Sequence, residues 1–180
     1  MKWEKKHTLE ETVEWTGLPE SEMEPFKAYV NGKTPGICGT YAAAALTVLM
    51  AKREEVVTQT MDELLKGMEA SIEYAFPYRG TFYWDVQRGL NDEWKKYGYK
   101  TRFNLFSEKV TPSLLEDGVP VIVGTTAALG SPYKNHWIVV YQYAFDSNGK
   151  LWYKAYDNHG SITTIIPAVQ TLCAIWLEKL

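Results

Sequence analysis

The sequence lacks the patterns that mark metal, nucleotide and disulfide-rich proteins. Its 180 residues include two cysteines, Cys38 and Cys173, and contain neither a Cys-x-x-Cys pair nor a His-Glu-x-x-His motif. A glycine-rich phosphate loop and a dinucleotide fingerprint are also missing. Because zinc sites are built from such Cys and His spacings, we expect no metal and no other cofactor. Two cysteines give no disulfide framework, so we expect both thiols to be free.

Long runs of one charge and long apolar runs are missing as well. The chain has 19 Lys and Arg against 22 Asp and Glu, a net charge of -3 at pH 7, and no basic run longer than two residues. Binding to nucleic acid needs concentrated positive charge, so we expect no such partner. The apolar stretch at residues 42–51 is far shorter than the ~20 residues that cross a bilayer, so we expect no membrane span. Residues 1–11 carry no apolar segment of the kind found in signal peptides.

The first half of the chain carries helix signals. A hydrophobic fraction of 46% with 14% aromatic residues predicts one folded domain over residues 1–180. Ser/Thr-x-x-Glu capping boxes predict helices that begin near Thr8, Ser21 and Thr60. An Ala-rich run predicts a helix over residues 38–53, and a further helix is expected over residues 81–97. Residues 1–98 should therefore form a mainly helical lobe, with the helix that begins at Cys38 at its centre.

Strand signals replace helix signals after residue 98. Runs of β-branched and aromatic residues predict strands over residues 100–106, 119–126, 136–145, 151–157, 162–166 and 174–177, with a short helix over 111–118. Asn148-Gly149 between two of these runs is a hairpin signal. Residues 99–180 should therefore form a mainly antiparallel sheet lobe, which makes the fold class α+β.

Cys38 and His136 occupy positions that nucleophilic catalysis requires. Cys38 follows the Pro35-Gly36 turn and begins the central helix, where the positive end of the helix dipole favours a thiolate. His136 begins the strongest strand directly after a loop, which predicts an imidazole at the rim of the sheet. Taken alone, a cysteine such as Cys38 is more often a small buried residue, and a histidine such as His136 is more often a surface residue. Of the other histidines, His7 is expected to be exposed, and His159 remains a competitor.

The register of the hairpin decides which residue can orient His136. A two-residue Asn148-Gly149 loop would leave Asp157 four residues from the position opposite His136, about 13 Å along the strand. A wider loop makes Asp157 a diagonal neighbour of the imidazole, and the opposite strand parity brings Asn158 instead. We therefore predict a wider turn or a bulge, with Asp157 or Asn158 as the orienting residue.

The order Cys, His, Asp or Asn, on a helix followed by an antiparallel sheet, resembles the papain-like cysteine peptidases. Residues 35–39 (Pro-Gly-Ile-Cys-Gly) and 136–141 (His-Trp-Ile-Val-Val-Tyr) are similar to the bacterial branch that includes bacteriocin-leader-cleaving and streptopain-like peptidases. The resemblance covers residues 32–180. It implies a papain-like fold, a peptide or protein substrate, and hydrolysis through a thioester on Cys38 with His136 as base. Related bacterial enzymes are often exported.

One position departs from the family pattern. Papain-like enzymes usually place a glutamine, which helps to hold the oxyanion, about six residues before the cysteine, and Gly32 is found there. The amide of Asn31, together with the backbone N–H of Cys38, could serve instead.

Two other functions fit the same residues. A deamidase or an amide-forming transferase of this fold would use the same nucleophile, because the triad sets acyl transfer and leaves the acceptor open. A binding module that keeps the fold without turnover is favoured by the missing glutamine. The sequence leaves the oligomeric state open. We expect carboxylates such as Asp85 to lie on solvated helix faces, and Cys173 to lie in the core.

Overall fold

The α-helices of the protein precede most of its strands. The computed structural model describes residues 9–32 and 36–180. Its α-helices are α1 (Cys38–Arg53), α2 (Met61–Glu73), α3 (Tyr83–Trp94) and α4 (Thr111–Glu116). Its strands are β1 (Thr16–Gly17), β2 (Tyr99–Asn104), β3 (Val121–Thr125), β4 (His136–Phe145), β5 (Leu151–Tyr156), β6 (Thr164–Pro167) and β7 (Thr171–Lys179).

The strands of the described residues form one antiparallel sheet. Six of its seven strands follow the order β2-β7-β3-β4-β5-β6, and β1 pairs with the end of β4 that β3 does not reach. One apolar core lies between the sheet and helices α1 to α3, and a second lies on the other face, with α4. The α+β class and the antiparallel sheet are thus confirmed.

Helix α1 is buried because its side chains are small and apolar. It begins at Cys38, as the sequence predicts, and its four consecutive alanines at 42–45 are fully buried against the sheet and helices. Alanine combines the highest helix propensity with a small side chain, which lets α1 lie close to the central strand β4. Within the described residues, none of the helices is long and apolar enough to span a membrane.

The β4–β5 hairpin has both the wider turn and the bulge that the register argument predicts. Phe145 pairs with Leu151, which leaves residues 146–150 as the connection. The Asp146 carboxylate accepts the N–H groups of Asn148 and Lys150, both at 2.9 Å, and so fixes this turn. The register then shifts between Val140 and Gln142. Beyond this bulge, Val140 pairs with Ala155, which is the register that a four-residue hairpin loop would give.

The capping boxes have different outcomes. Thr60 and Glu63 form a complete box at the start of α2, as predicted. The predicted capping box at Ser21 is wrong. The N-cap of the short 3-10 helix Glu20–Phe26 is Pro19, so Ser21 lies inside the helix, which has no side-chain cap. Thr8 lies outside the described residues. Residues 9–15 are not helical, and the Glu11 carboxylate instead accepts the N–H of Ser147 at 2.7 Å.

We expect Thr60→Ala to lower the free energy of unfolding by about 1 kcal/mol, because the first turn of α2 loses its cap. Ser21→Ala is the matched control. It removes a hydroxyl that caps nothing and should change stability by less than about 0.5 kcal/mol. Urea denaturation of both variants measures the difference, and equal losses would contradict the assignment of the caps.

Candidate active site

A cleft of about 1010 Å³ opens between the helical part of the chain and the sheet. The residues that bear on its chemistry come from both sides, and they are Asn31, Cys38, Thr81, His136, Trp137 and His159. The structure therefore brings the predicted nucleophile and the predicted base to the same cavity, although 98 positions separate them in the sequence. Asp157 and Asn158 lie directly behind it, at the end of β5.

Cys38 is the first residue of α1 and is half-buried at the cleft wall. Burial raises the pKa of its thiol to about 11, and the negative charge of Glu73 acts in the same direction. Hydrogen bonds from the backbone of Trp137, Gly39 and Cys38 itself lower the pKa but do not outweigh burial. The helix dipole alone favours a thiolate, whereas the whole site favours the neutral thiol.

His136 is a buried imidazole, 6% exposed. Its Nε2 lies 2.7 Å from the main-chain oxygen of Asp157. A carbonyl oxygen can only accept a hydrogen bond, so Nε2 carries the proton and Nδ1 is left with a lone pair. Burial lowers the pKa of His136 to about 3, and neighbouring His159 lowers it too. The hydrogen bond to Asp157 raises this pKa but does not outweigh them. The imidazole is therefore neutral at neutral pH.

Two aromatic rings hold the imidazole in place. Tyr133 is stacked on His136, with 5.6 Å between ring centroids and 13° between planes. His159 lies closer, at 4.1 Å between centroids. This second imidazole is the competitor that the sequence leaves open, and the structure places it next to the first. His7 lies outside the described residues.

Asp157 reaches His136 through its backbone. Its carboxylate accepts hydrogen bonds from the Tyr133 hydroxyl at 2.7 Å and from the N–H groups of His159 and Ser161, both at 2.9 Å. These bonds fix the turn after β5 and so fix the carbonyl that holds the imidazole. Among the described residues, no hydrogen bond joins the Asp157 side chain to the His136 ring.

Asn158 links the turn after β5 to the other side of the cleft. The residue is fully buried, and its Nδ2 donates to the Trp137 carbonyl at 3.0 Å. Its own carbonyl accepts the backbone N–H of Asn31 at 2.7 Å. This bond holds Asn31 at the cleft, where the sequence proposes it as an oxyanion donor. Gly32 lines the cleft beside it, and Pro35 lies outside the described residues.

The sequence gives no indication that Glu73 lies next to Cys38. The carboxylate of this last residue of α2 accepts hydrogen bonds from the N–H of Thr40 at 3.1 Å and from the hydroxyls of Thr40 and Thr81. A Cβ at Gly39 would lie 2.6 Å from the Thr81 methyl carbon, so the glycine after Cys38 makes room for this packing. No local motif predicts these contacts, because Glu73 is 35 positions from Cys38.

Asp85 differs from its expected setting, and Cys173 has one feature that the sequence does not predict. Asp85 is 1% exposed, not solvated, because its carboxylate accepts the free N–H of Phe82 at 3.0 Å and an ion pair from Arg88 at 2.8 Å. Cys173 is buried, as expected, but also lines the cleft, at a bulge of β7 with φ of 66°. Both cysteines are free. Within the part of the chain that the structure describes, no cluster of His, Cys, Asp or Glu could hold a metal ion.

The chain is distantly similar to solved structures. No family model matches the chain, and no curated protein matches it. Among solved structures, the chain is similar to the peptidase domain of Streptococcus ComA, a bi-functional ABC transporter involved in a quorum sensing pathway. The two share 18% identity over 78% of this chain and 93% of that chain, with a TM-score of 0.47. The function proposed below therefore rests on the residues of this chain.

We expect Cys38 of the ligand-free protein to react slowly with iodoacetamide at neutral pH. Only the thiolate reacts, and a pKa raised to about 11 makes the thiolate scarcer than in an unperturbed cysteine with a pKa of about 8.5. Peptide mass spectrometry across the pH range measures each cysteine, with the urea-unfolded chain as control. A fast reaction on a plateau below neutral pH would show a preformed thiolate and contradict the neutral pair.

Proposed function

We propose that the protein is a papain-like cysteine hydrolase that cleaves peptide bonds, with Cys38 as nucleophile and His136 as base. One observation carries this proposal. The first residue of α1 and the first residue of β4 line one cleft, and the backbone of Trp137, next to His136, is close enough to the Cys38 sulfur to lower the pKa of its thiol. A nucleophile on a helix N-terminus beside a strand-borne base is the arrangement that acyl transfer requires.

The proposed reaction starts from a neutral thiol and a neutral imidazole. As the Cys38 sulfur attacks the substrate carbonyl carbon, Nδ1 of His136 takes the thiol proton, and a C–S bond forms in a tetrahedral oxyanion. The oxyanion collapses to a thioester, and the leaving amine takes the proton from His136. Water then attacks the thioester with His136 again as base, the C–S bond breaks, the Cys38 sulfur takes back its proton from His136, and the acid product leaves. Proton transfer during attack fits the raised pKa of Cys38 and the lowered pKa of His136.

Two backbone groups and one side-chain amide support these roles. The Asp157 carbonyl holds Nε2–H of His136, which keeps Nδ1 free of its proton and able to accept one. The backbone N–H of Cys38 and the side-chain amide of Asn31 are the proposed oxyanion donors, since both residues line the cleft. A peptide or protein is the proposed substrate because a cleft of about 1010 Å³ has room for several residues, being at the upper end of ordinary ligand sites, ~300–1,000 Å³.

We expect Cys38→Ala and His136→Ala each to reduce kcat/KM on a peptide library by a factor of about 10³ or more, because each removes one member of the acyl-transfer pair. Asp62→Asn is the control, because Asp62 is exposed and lies in the first turn of α2. Product masses identify the reaction, since two fragments indicate a peptidase and conversion of an amide to an acid indicates a deamidase. Peptide binding without turnover in the wild-type protein, retained in Cys38→Ala, would replace the enzyme with a binding module.

We expect Asp157→Asn to keep kcat within about tenfold of wild type, because the carbonyl that holds His136 remains in the isosteric variant. The change weakens only the bonds that fix the turn, from Tyr133 and the N–H groups of His159 and Ser161. Steady-state kinetics on the best peptide measures it. A fall in kcat of about 10⁴ would assign the orienting role to the carboxylate instead.

A further inference from the structure

The helix that carries Cys38 has no cap of its own. Ile37 is its N-cap residue and makes no side-chain hydrogen bond to the first turn. The orphan N–H of Thr40 is satisfied by the Glu73 carboxylate at 3.1 Å, and the Thr40 hydroxyl donates to the same oxygen at 3.0 Å. A side chain from another helix thus caps α1 two residues from the nucleophile.

The position of Glu73 is unfavourable for its own helix. It is the last residue of α2, where the negative end of the helix dipole repels a carboxylate. The N-terminus of α1 and the Thr81 hydroxyl offset this repulsion by donating hydrogen bonds. Glu73 therefore serves the contacts across the helices and contributes nothing to α2 by its charge.

Through Thr81, the same carboxylate connects both walls of the cleft. The Thr81 hydroxyl donates to Glu73, and the Thr81 carbonyl accepts the indole N–H of Trp137 at 2.8 Å. Trp137 follows His136 on β4, and its backbone also contacts the Cys38 sulfur. Glu73 thus lies within a chain of contacts that runs from the helix of the nucleophile through Thr81 to the strand of the base.

The charge of Glu73 is close enough to act on Cys38. Its negative field raises the pKa of the thiol, while the nearest cation on α3, Arg88, is paired with Asp85. Burial raises the pKa of Glu73 itself, hydrogen bonds from Thr81 and Thr40 lower it, and the charge of Asp85 raises it. The other ionisable or charged side chains at the cleft are Arg79, Tyr83, Tyr133, Lys134, His136 and His159, besides Cys173.

We propose that Glu73 is a positioning residue that caps the Cys38 helix and, together with burial, keeps the Cys38 sulfur in its thiol form in the ligand-free protein. Its role in catalysis rests on the proposed function. Its effect on the sulfur does not, because alkylation of Cys38 requires no substrate. The carboxylate holds the nucleophile in place and also restrains it, so that the sulfur becomes reactive only when His136 can take its proton.

Glu73→Gln separates the charge from the cap. The amide oxygen can still accept the N–H and the hydroxyl of Thr40, and the amide NH2 group can donate to the Thr81 hydroxyl, which then acts as the acceptor, so the main loss is the negative charge. We expect the pH midpoint of Cys38 alkylation to fall by about one unit, which is a tenfold faster reaction at a fixed pH below the midpoint. Cys173 alkylation and the melting temperature should stay close to wild type. Asp62→Asn removes one charge about 16 Å away along α2 and should shift nothing.

Glu73→Ala is the second variant. It removes both charge and cap, so it should shift the alkylation profile in the same direction and also lower the melting temperature. Unchanged or upward-shifted profiles in both variants would overturn the inference and leave Glu73 a purely structural cap. If the downward shift occurs but no peptide is cleaved by the wild-type protein, the proposed function fails and the role of Glu73 stands.

Discussion

The packing of α1 on β4 is the contact on which the site depends. Four buried alanines let the helix lie close to the central strand, and the helix begins at Cys38 while the strand begins at His136. Because both elements are buried, neither can slide without exposing apolar surface or opening a cavity. The proposed nucleophile and base therefore lie at the same edge of the molecule through the rigidity of the core.

Burial dominates the electrostatics of this edge. The N-terminus of a helix favours a thiolate, and an ion pair with a nearby imidazole would favour it further. Burial opposes both charged forms, so the pKa of Cys38 is raised and that of His136 is lowered. The resting site is a neutral pair, and in the proposed reaction the proton moves as the sulfur attacks a substrate carbonyl.

Main-chain groups make several of the contacts around the proposed nucleophile and base. The Asp157 carbonyl orients His136, the Asn158 carbonyl holds the backbone of Asn31, and the backbone of Trp137 contacts the Cys38 sulfur. The side chains behind them fix the backbone, as the Asp157 carboxylate does for the turn after β5. A main-chain donor or acceptor is set by the fold, so this arrangement ties the site to the sheet register and to the bulge in β4.

The sequence by itself determined the elements whose signals are local. The starts of α1 and β4, the cap at Thr60 and the need for a wider turn or bulge follow from propensity, capping and strand parity, which act over a few residues. Tertiary structure decided the burial of Asp85, the placement of His159 beside His136 and the cap that Glu73 provides to α1. The contacts of His159 and Glu73 join residues that are distant in sequence, and the burial of Asp85 depends on what packs over α3. The pKa of a buried group depends on all of its neighbours, which no local pattern encodes.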